Sequence, residues 1–285
     1  MKKILVPCDF SSKSKAAIKF AIDLAAKAKG EVTLLHVIYS SPLYQPLYMD
    51  NIAGNPINVL DYIDQMKNDA KEELSKLQNS LTNDSVKIKI HTSIGDIDSA
   101  IIQKADELGS DLIVMGTTGS SGMEELLIGS VTEKIVRRAK IPVIAVRKTP
   151  KIEEIKKILF PSNLENGQEE LVKKVKELQR FFDAELHLLL VNTPTHFRPE
   201  YEAREDLNRF VKHHQLQKCT THFISHWTAE KGILDYQSKH DMDMIIMSTH
   251  GRKGLQHIFY GSITEDVVNH ISCPIWTYQL HPKSK

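Results

Sequence analysis

One group of residues has the composition and spacing of a phosphate cradle: Gly116-Thr-Thr-Gly119, nine further residues, then Gly129-Ser130-Val-Thr132. Glycine lacks a Cβ, so backbone N–H groups can come close to an anionic ligand. Where a helix begins, its first amides have no partner within the helix and its dipole end is positive. Ser130 and Thr132 add hydroxyl donors at the same place. A plainer reading of the same spacing stays open, in which Gly116 and Gly119 only turn the chain and Gly129 only packs.

Other chemistry-bearing residues are less convergent. Eleven of the 13 histidines fall in residues 151–285, and His213, His214, His222 and His226 surround Cys219, which invites a zinc reading. With Cys219–Ser225 read as a strand, His222 and His226 would lie about 13 Å apart at ~3.3 Å per residue. His213 and His214 are adjacent, so on a helix they diverge by about 100°. Solvated histidines are therefore expected, and no metal. Cys8 stands beside Asp9, whose carboxylate disfavours a reactive thiolate. Arg137, Arg138 and Lys140 suit a solvated helix end, and the Lys67–Lys76 run suits an exposed helix face. There is no Walker Gly-x4-Gly-Lys-[Ser/Thr] and no Gly-x-Ser-x-Gly elbow. No catalytic residue is assigned, and any hydrolysis of a phosphate-bearing ligand is expected to be slow.

The elements that must position the glycines follow from a repeat. Lys2–Asp9 matches Lys156–Asn163, and Glu31–Val37 matches Glu185–Val191, at an offset of 154. Asp111–Gly116 matches Asp243–Ser248, Gly129–Thr132 matches Gly261–Thr264, and Ile141-Pro142 falls on Cys273-Pro274, at an offset of 132. The second copy is thus 22 residues shorter between its second and third strands. In the first copy, apolar β-branched runs at Lys3–Cys8, Glu31–Ile38, Val86–Thr92, Asp111–Met115 and Pro142–Arg147 alternate with helical stretches. The helices are expected at Ser12–Lys29, Val59–Leu81, Asp98–Leu108 and Ser130–Ala139, with Ser11 or Ser12 capping the first. Strands near 156–160, 185–191, 218–225, 243–247 and 274–279 repeat the scheme. This alternation predicts an α/β protein of two tandem Rossmann-like domains, 1–149 and 150–285, each a parallel sheet flanked by helices. The segment Tyr39–Asn58, rich in proline and tyrosine, is expected to be a long loop after the second strand.

Composition fits two soluble domains: 285 residues, 41% hydrophobic, 26% charged, net charge +1. Lys+Arg and Asp+Glu number 19 and 18 in residues 1–150 and are equal in the remainder, which argues against nucleic acid as a partner. The apolar runs fall well short of the ~20 residues of a membrane helix. No signal-peptide core follows Met1, and three scattered cysteines suit a reducing compartment, so a cytoplasmic protein is expected.

Taken together, Val6-Pro-Cys-Asp9, Leu34-Leu-His-Val37, the Gly-x-x-Gly-x9-Gly-Ser signature and Ile141-Pro-Val-Ile-Ala-Val146 resemble the universal stress protein superfamily over essentially the whole chain. The resemblance implies a five-stranded sheet of order 3-2-1-4-5 in each domain and an adenine nucleotide, ATP, ADP or AMP, as ligand. Carried over by position, it implies that Asp9 meets the adenosine and that the backbone of Val37 reads the adenine edge. Gly116 would approach the ribose. Gly119, Gly129, Ser130 and the amides of Val131 and Thr132 would hold the phosphates, with Mg²⁺ as a candidate bridge. Pro7 and Met115 would line the pocket.

The second domain departs from this pattern. Asn163 stands where Asp9 does and Ser248 where Gly116 does, while Gly251, Gly261, Ser262 and Thr264 remain. A weak second site and a ligand-free structural partner both fit. The resemblance further implies pairing of the two domains through their last strands, with a homodimer as an option. The expected function is a nucleotide-regulated stress-response protein. A nucleotide-independent interaction scaffold and a slow ATPase are the alternatives.

Overall fold

The computed structural model describes residues 1–39, 59–81, 85–117, 130–147, 150–250, 271 and 273–280. Gly119, Gly129, Gly251, Gly261, Ser262, Thr264 and the expected loop beyond Tyr39 lie outside the described residues.

The first half runs β1 (Lys3–Pro7), α1 (Ser12–Ala28), β2 (Glu31–Tyr39), α2 (Val59–Ser80), β3 (Lys87–Gly95), α3 (Ile97–Leu108), β4 (Leu112–Gly116), α4 (Ser130–Arg138) and β5 (Val143–Val146). After a short 3-10 turn at Ile152–Glu154 come β6 (Lys157–Pro161), α5 (Glu169–Phe182), β7 (Glu185–Asn192), α6 (Glu200–His214), β8 (Cys219–Ser225), α7 (Ala229–His240), β9 (Met244–His250) and β10 (Ile275–Leu280). Local chemistry explains several boundaries. Ser11 caps α1 by accepting from the Ser14 N–H, Asp96 caps α3 from Ser99, and Thr228 caps α7 from Lys231. Gly109 closes α3 in the left-handed conformation.

The ten strands form one sheet of order β3-β2-β1-β4-β5-β10-β9-β6-β7-β8. Each half is parallel and has the expected order 3-2-1-4-5, the second in mirror image. The halves join where β5 and β10 pair antiparallel, Ala145 opposite Ile275 and Val143 opposite Thr277. The last strands would otherwise be edges with unpaired backbone groups, and pairing them removes both.

One face of the sheet carries a single core that crosses the junction, uniting Ile4, Phe20 and Leu24 with Phe160, Leu178, Phe182 and Trp276. Lys27 of α1 lies over the rings of Phe181 and Phe182 of α5, 5.3 and 5.6 Å from their centroids. The other face holds two separate clusters, one around Leu5, Ile113 and Ile135, the other around Leu159, Ile233 and Ile245. The connector is not a free linker: Ile152 and Ile155 are buried in the shared core. Burying such a side chain stabilises by roughly 1.5–3 kcal/mol, enough to hold the turn down.

Candidate functional site

In an open α/β sheet the ligand edge lies beyond the carboxyl ends of the strands. In the first half the ends of β1, β2 and β4 and the starts of α1 and α4 meet there. Asp9 follows β1 and is exposed; its Oδ1 accepts from the Ser11 N–H at 3.1 Å and the Ser11 hydroxyl at 2.6 Å. Phe10, at φ +63, makes the sharp turn that sends the chain into α1, and its ring packs on His36 at 4.8 Å. His36 Nδ1 lies 2.8 Å from the Cys8 carbonyl oxygen, so the ends of β1 and β2 are tied by a side chain as well as by the Cys8 N–H to Leu35 bond. Pro7 and Val37 are half-buried beside them.

At the end of β4 two features are specific. A Cβ on Gly116 would stand 2.9 Å from the backbone carbon and oxygen of Lys13, so glycine is required there for α1 to approach, whatever else it serves. The Thr132 hydroxyl donates to the Gly116 carbonyl at 2.8 Å and pins the first turn of α4 to β4. Ser130 is exposed at that first turn, and Val131 is half-buried behind it. Met115 is 4% exposed in the core cluster below. The adjacent Thr117 is buried, and among the described residues its hydroxyl has no hydrogen-bond partner at this edge.

These groups suit a nucleotide in kind. Asp9 is an acceptor for hydroxyls, and Thr117, Ser130 and the first amides of α4 are donors for phosphate oxygens. Cys8 is buried, and its thiol is pushed up by burial first, with Asp9 adding to the effect, which keeps it inert. The basic residues at the end of α4 are held in ion pairs. Lys134 and Arg138 both reach the buried Asp98 of α3, and Lys140 lies 3.6 Å from Asp106.

The second half is rebuilt at the same edge. Leu164 makes the turn that Phe10 makes, at φ +60. The counterpart of Lys13 is Gly167, at φ +88, and α5 begins at Glu169, three residues later than the repeat would place it. The helix thus starts later in the second half, and Ser248 stands half-buried at the position of Gly116. Asn163 Oδ1 accepts from the Glu165 N–H at 3.3 Å and from Gln168 Nε2 at 2.9 Å.

A cluster that sequence spacing did not reveal lies near the amino end of β7. His187 Nδ1 is 3.2 Å from His222 Nε2 and 3.3 Å from the Tyr236 hydroxyl, and the Tyr236 and His240 rings stack at 4.2 Å. His222 therefore belongs to a packed group rather than to a set of solvated side chains. Burial, chiefly, lowers the pKa of both His187 and His222. The residues are 35 apart in sequence and meet only through the β7–β8 register, so no local motif announces them. Among the described residues, no group of three His, Cys, Asp or Glu side chains could hold a metal ion, and no helix is long and apolar enough to cross a membrane.

Comparison with known proteins agrees with this architecture. Two universal stress proteins of Methanocaldococcus jannaschii are similar to part of the chain. One is 33% identical over 150 residues, 53% of this chain and 84% of the relative. The other is 30% identical over 154 residues, 52% of this chain and 95% of the relative. The crystal structure of a universal stress protein from Archaeoglobus fulgidus superposes along nearly the whole length, with a TM-score of 0.76, 20% identity, and coverage of 97% of this chain and 98% of that one. The model of the universal stress protein family matches residues 1–147 and again 154–279. The chain belongs to the universal stress protein family and carries two such domains in tandem.

Proposed function

We propose that the chain binds one adenine nucleotide, ATP in the first instance, at the carboxyl edge of its first half, and that the second half serves as a pseudo-symmetric structural partner. The observation that carries this reading is the convergence on one edge of the sheet of exposed Asp9, the buried Thr117 hydroxyl, unpartnered among the described residues, and the pinned start of α4. Gly119 and Gly129 complete the cradle in this reading, and Mg²⁺ would bridge the phosphates. The nucleotide is a regulatory ligand rather than the substrate of a fast enzyme, since no nucleophile or Walker motif accompanies the cradle. The same reading assigns the protein to the cytoplasm and to a stress response, with association of two chains as an option.

The experiment is to purify the chain without added nucleotide, denature it, and identify and count any released small molecule by chromatography and mass spectrometry. Calorimetry with added ATP, ADP and AMP then ranks the ligands. About one nucleotide per chain is expected. Gly119→Val or Gly129→Val should abolish binding while leaving the far-ultraviolet circular dichroism unchanged, because a branched side chain occupies space the ligand needs. Unchanged affinity in both variants would reject the assigned cradle. Folded protein indifferent to every nucleotide would instead favour the scaffold reading, and phosphate release above the Gly119→Val background would favour a slow ATPase.

A further inference from the structure

In the second half the ends of the strands are tied together by the chain's own side chains. Arg198 lies in the connector between β7 and α6. Its N–H donates to Asn192 Oδ1 at 2.8 Å and its carbonyl accepts from Asn192 Nδ2 at 3.2 Å, so a buried asparagine fixes its backbone. Its guanidinium then spans two elements: Nη1 meets Asp206 Oδ2 of α6 at 3.0 Å, and Nη2 donates to the Asn163 carbonyl in the loop after β6 at 3.2 Å. The Asn163 side chain is itself held by Gln168, whose Oε1 accepts from the Ser162 hydroxyl at 3.1 Å. These groups lie on the edge where the first half presents Asp9.

The connector that carries Arg198 is also the shorter of the two. Residues 40–86 separate β2 from β3, whereas residues 193–218 separate β7 from β8. On this shorter path Arg198, two residues before α6, bridges Asp206 of α6 and the Asn163 carbonyl after β6. The charge of Arg198 is answered by Asp206, and the side chain reaches the β6–β7 side of the edge. β9, the counterpart of the strand that ends in the phosphate motif, lies on the other side of β6.

We propose that Arg198 is a built-in occupant of the second half's ligand edge, keeping that half closed so that one chain takes one nucleotide. The inference rests on the nucleotide reading of the first half and adds the cause of the stoichiometry: a ligand on the second edge must first displace Arg198 from Asn163 and Asp206. Arg209 also lies 3.2 Å from Asp206, so removing Arg198 does not leave that carboxylate alone.

The test uses the full chain and ATP in calorimetry. Asn163→Asp with Ser248→Gly, Arg198 retained, should still bind one ATP per chain. Adding Arg198→Ala to that pair should create a second binding event. Two outcomes would overturn the proposal: a second site appearing while Arg198 is in place, or a folded triple variant that still binds one. Loss of ATP binding in Arg198→Ala alone would also overturn it, by making Arg198 a ligand contact. Amide exchange separates this inference from the reading beneath it. In Arg198→Ala without nucleotide, exchange at Leu164 and Glu165 should rise about tenfold or more, with residues 9–14 unchanged. If the wild-type chain binds no nucleotide, the proposed function fails, yet unchanged exchange at those amides would independently sink the role of Arg198.

Discussion

The two halves agree closely at the amino ends of their strands and diverge at the carboxyl ends. Asp111 Oδ2 accepts the N–H groups of Lys2 and Lys3 at 2.8 and 3.0 Å; Asp243 Oδ2 accepts those of Lys156 and Lys157 at 2.9 and 2.8 Å. Lys3 Nζ reaches the Leu108 carbonyl and Lys157 Nζ the His240 carbonyl, each at 3.4 Å. At the opposite end, Asp9 becomes Asn163, Gly116 becomes Ser248, the helix start withdraws, and Arg198 enters. The amino end closes each domain and is retained as structure, while the carboxyl end has been free to change in one copy. Packing sets part of that edge, since Gly116 is required by the approach of α1, while Asp9 is exposed and bound by no such constraint.

The sharpest way to break this comparison is a bulky residue at the two corresponding strand ends. Gly116→Val drives its side chain into the Lys13 backbone and should destabilise by about 2–3 kcal/mol, as overpacking against an immobile neighbour does. Ser248→Val, opposite a later helix start, should cost under ~1 kcal/mol. Urea unfolding of both variants measures the difference. Equal losses would mean that the withdrawn start of α5 gives no extra room.

A smaller effect sharpens the other side of the comparison. Asp111→Ala and Asp243→Ala each remove a carboxylate that accepts two backbone amides, and each should cost about 1–3 kcal/mol. The prediction is equality between the halves to within ~0.5 kcal/mol. A gap larger than about 1 kcal/mol would show that the amino ends are not energetically equivalent despite their matching distances.

The parts of this fold that could be read from sequence are those written in local pattern. The repeat offsets of 154 and 132 locate β1, β2 and β4 and their copies within one residue, save that β9 runs three residues past its expected end, because buried parallel strands are short apolar runs bounded by breakers. A serine cap of α1, at Ser11 or Ser12, was legible from residue type, and the structure selects Ser11. The reason for Gly116 was not: its missing Cβ faces Lys13, about a hundred residues away, and only the packed structure supplies that contact. Arg198 and the His187–His222 pair were hidden for the same cause. Arg198 reads as one arginine in a polar connector until Asn163 and Asp206 are seen around it, and the histidines meet through strand register.

That histidine cluster gives the gentlest test of the comparison, because the first half lacks it: at the matching offsets His187 and His222 fall on Thr33 and Ile90. Burial is the main cause of the lowered pKa of His187 and His222; Lys157 and His240 add to it at His187, His187 and His240 at His222, and Glu185 opposes it at both. A base whose folded pKa lies below its unfolded value binds fewer protons when folded. Stability from this source is therefore fully present above about pH 6.5 and is lost as pH falls from there through the folded pKa. The slope cannot exceed about 1.4 kcal/mol per pH unit for each proton taken up. Urea unfolding between pH 7.5 and 5 should show this decline, and His187→Thr with His222→Ile, which copies the first half, should flatten it. The packing makes the effect local: a proton added to both rings would face its neighbour across 3.2 Å with no acceptor between them. Amide exchange should accordingly rise in β8 and α7 before it rises in β3 and α3. A slope untouched by the double variant, or exchange that rises first in β3 and α3, would remove the cluster as the source of the difference between the halves.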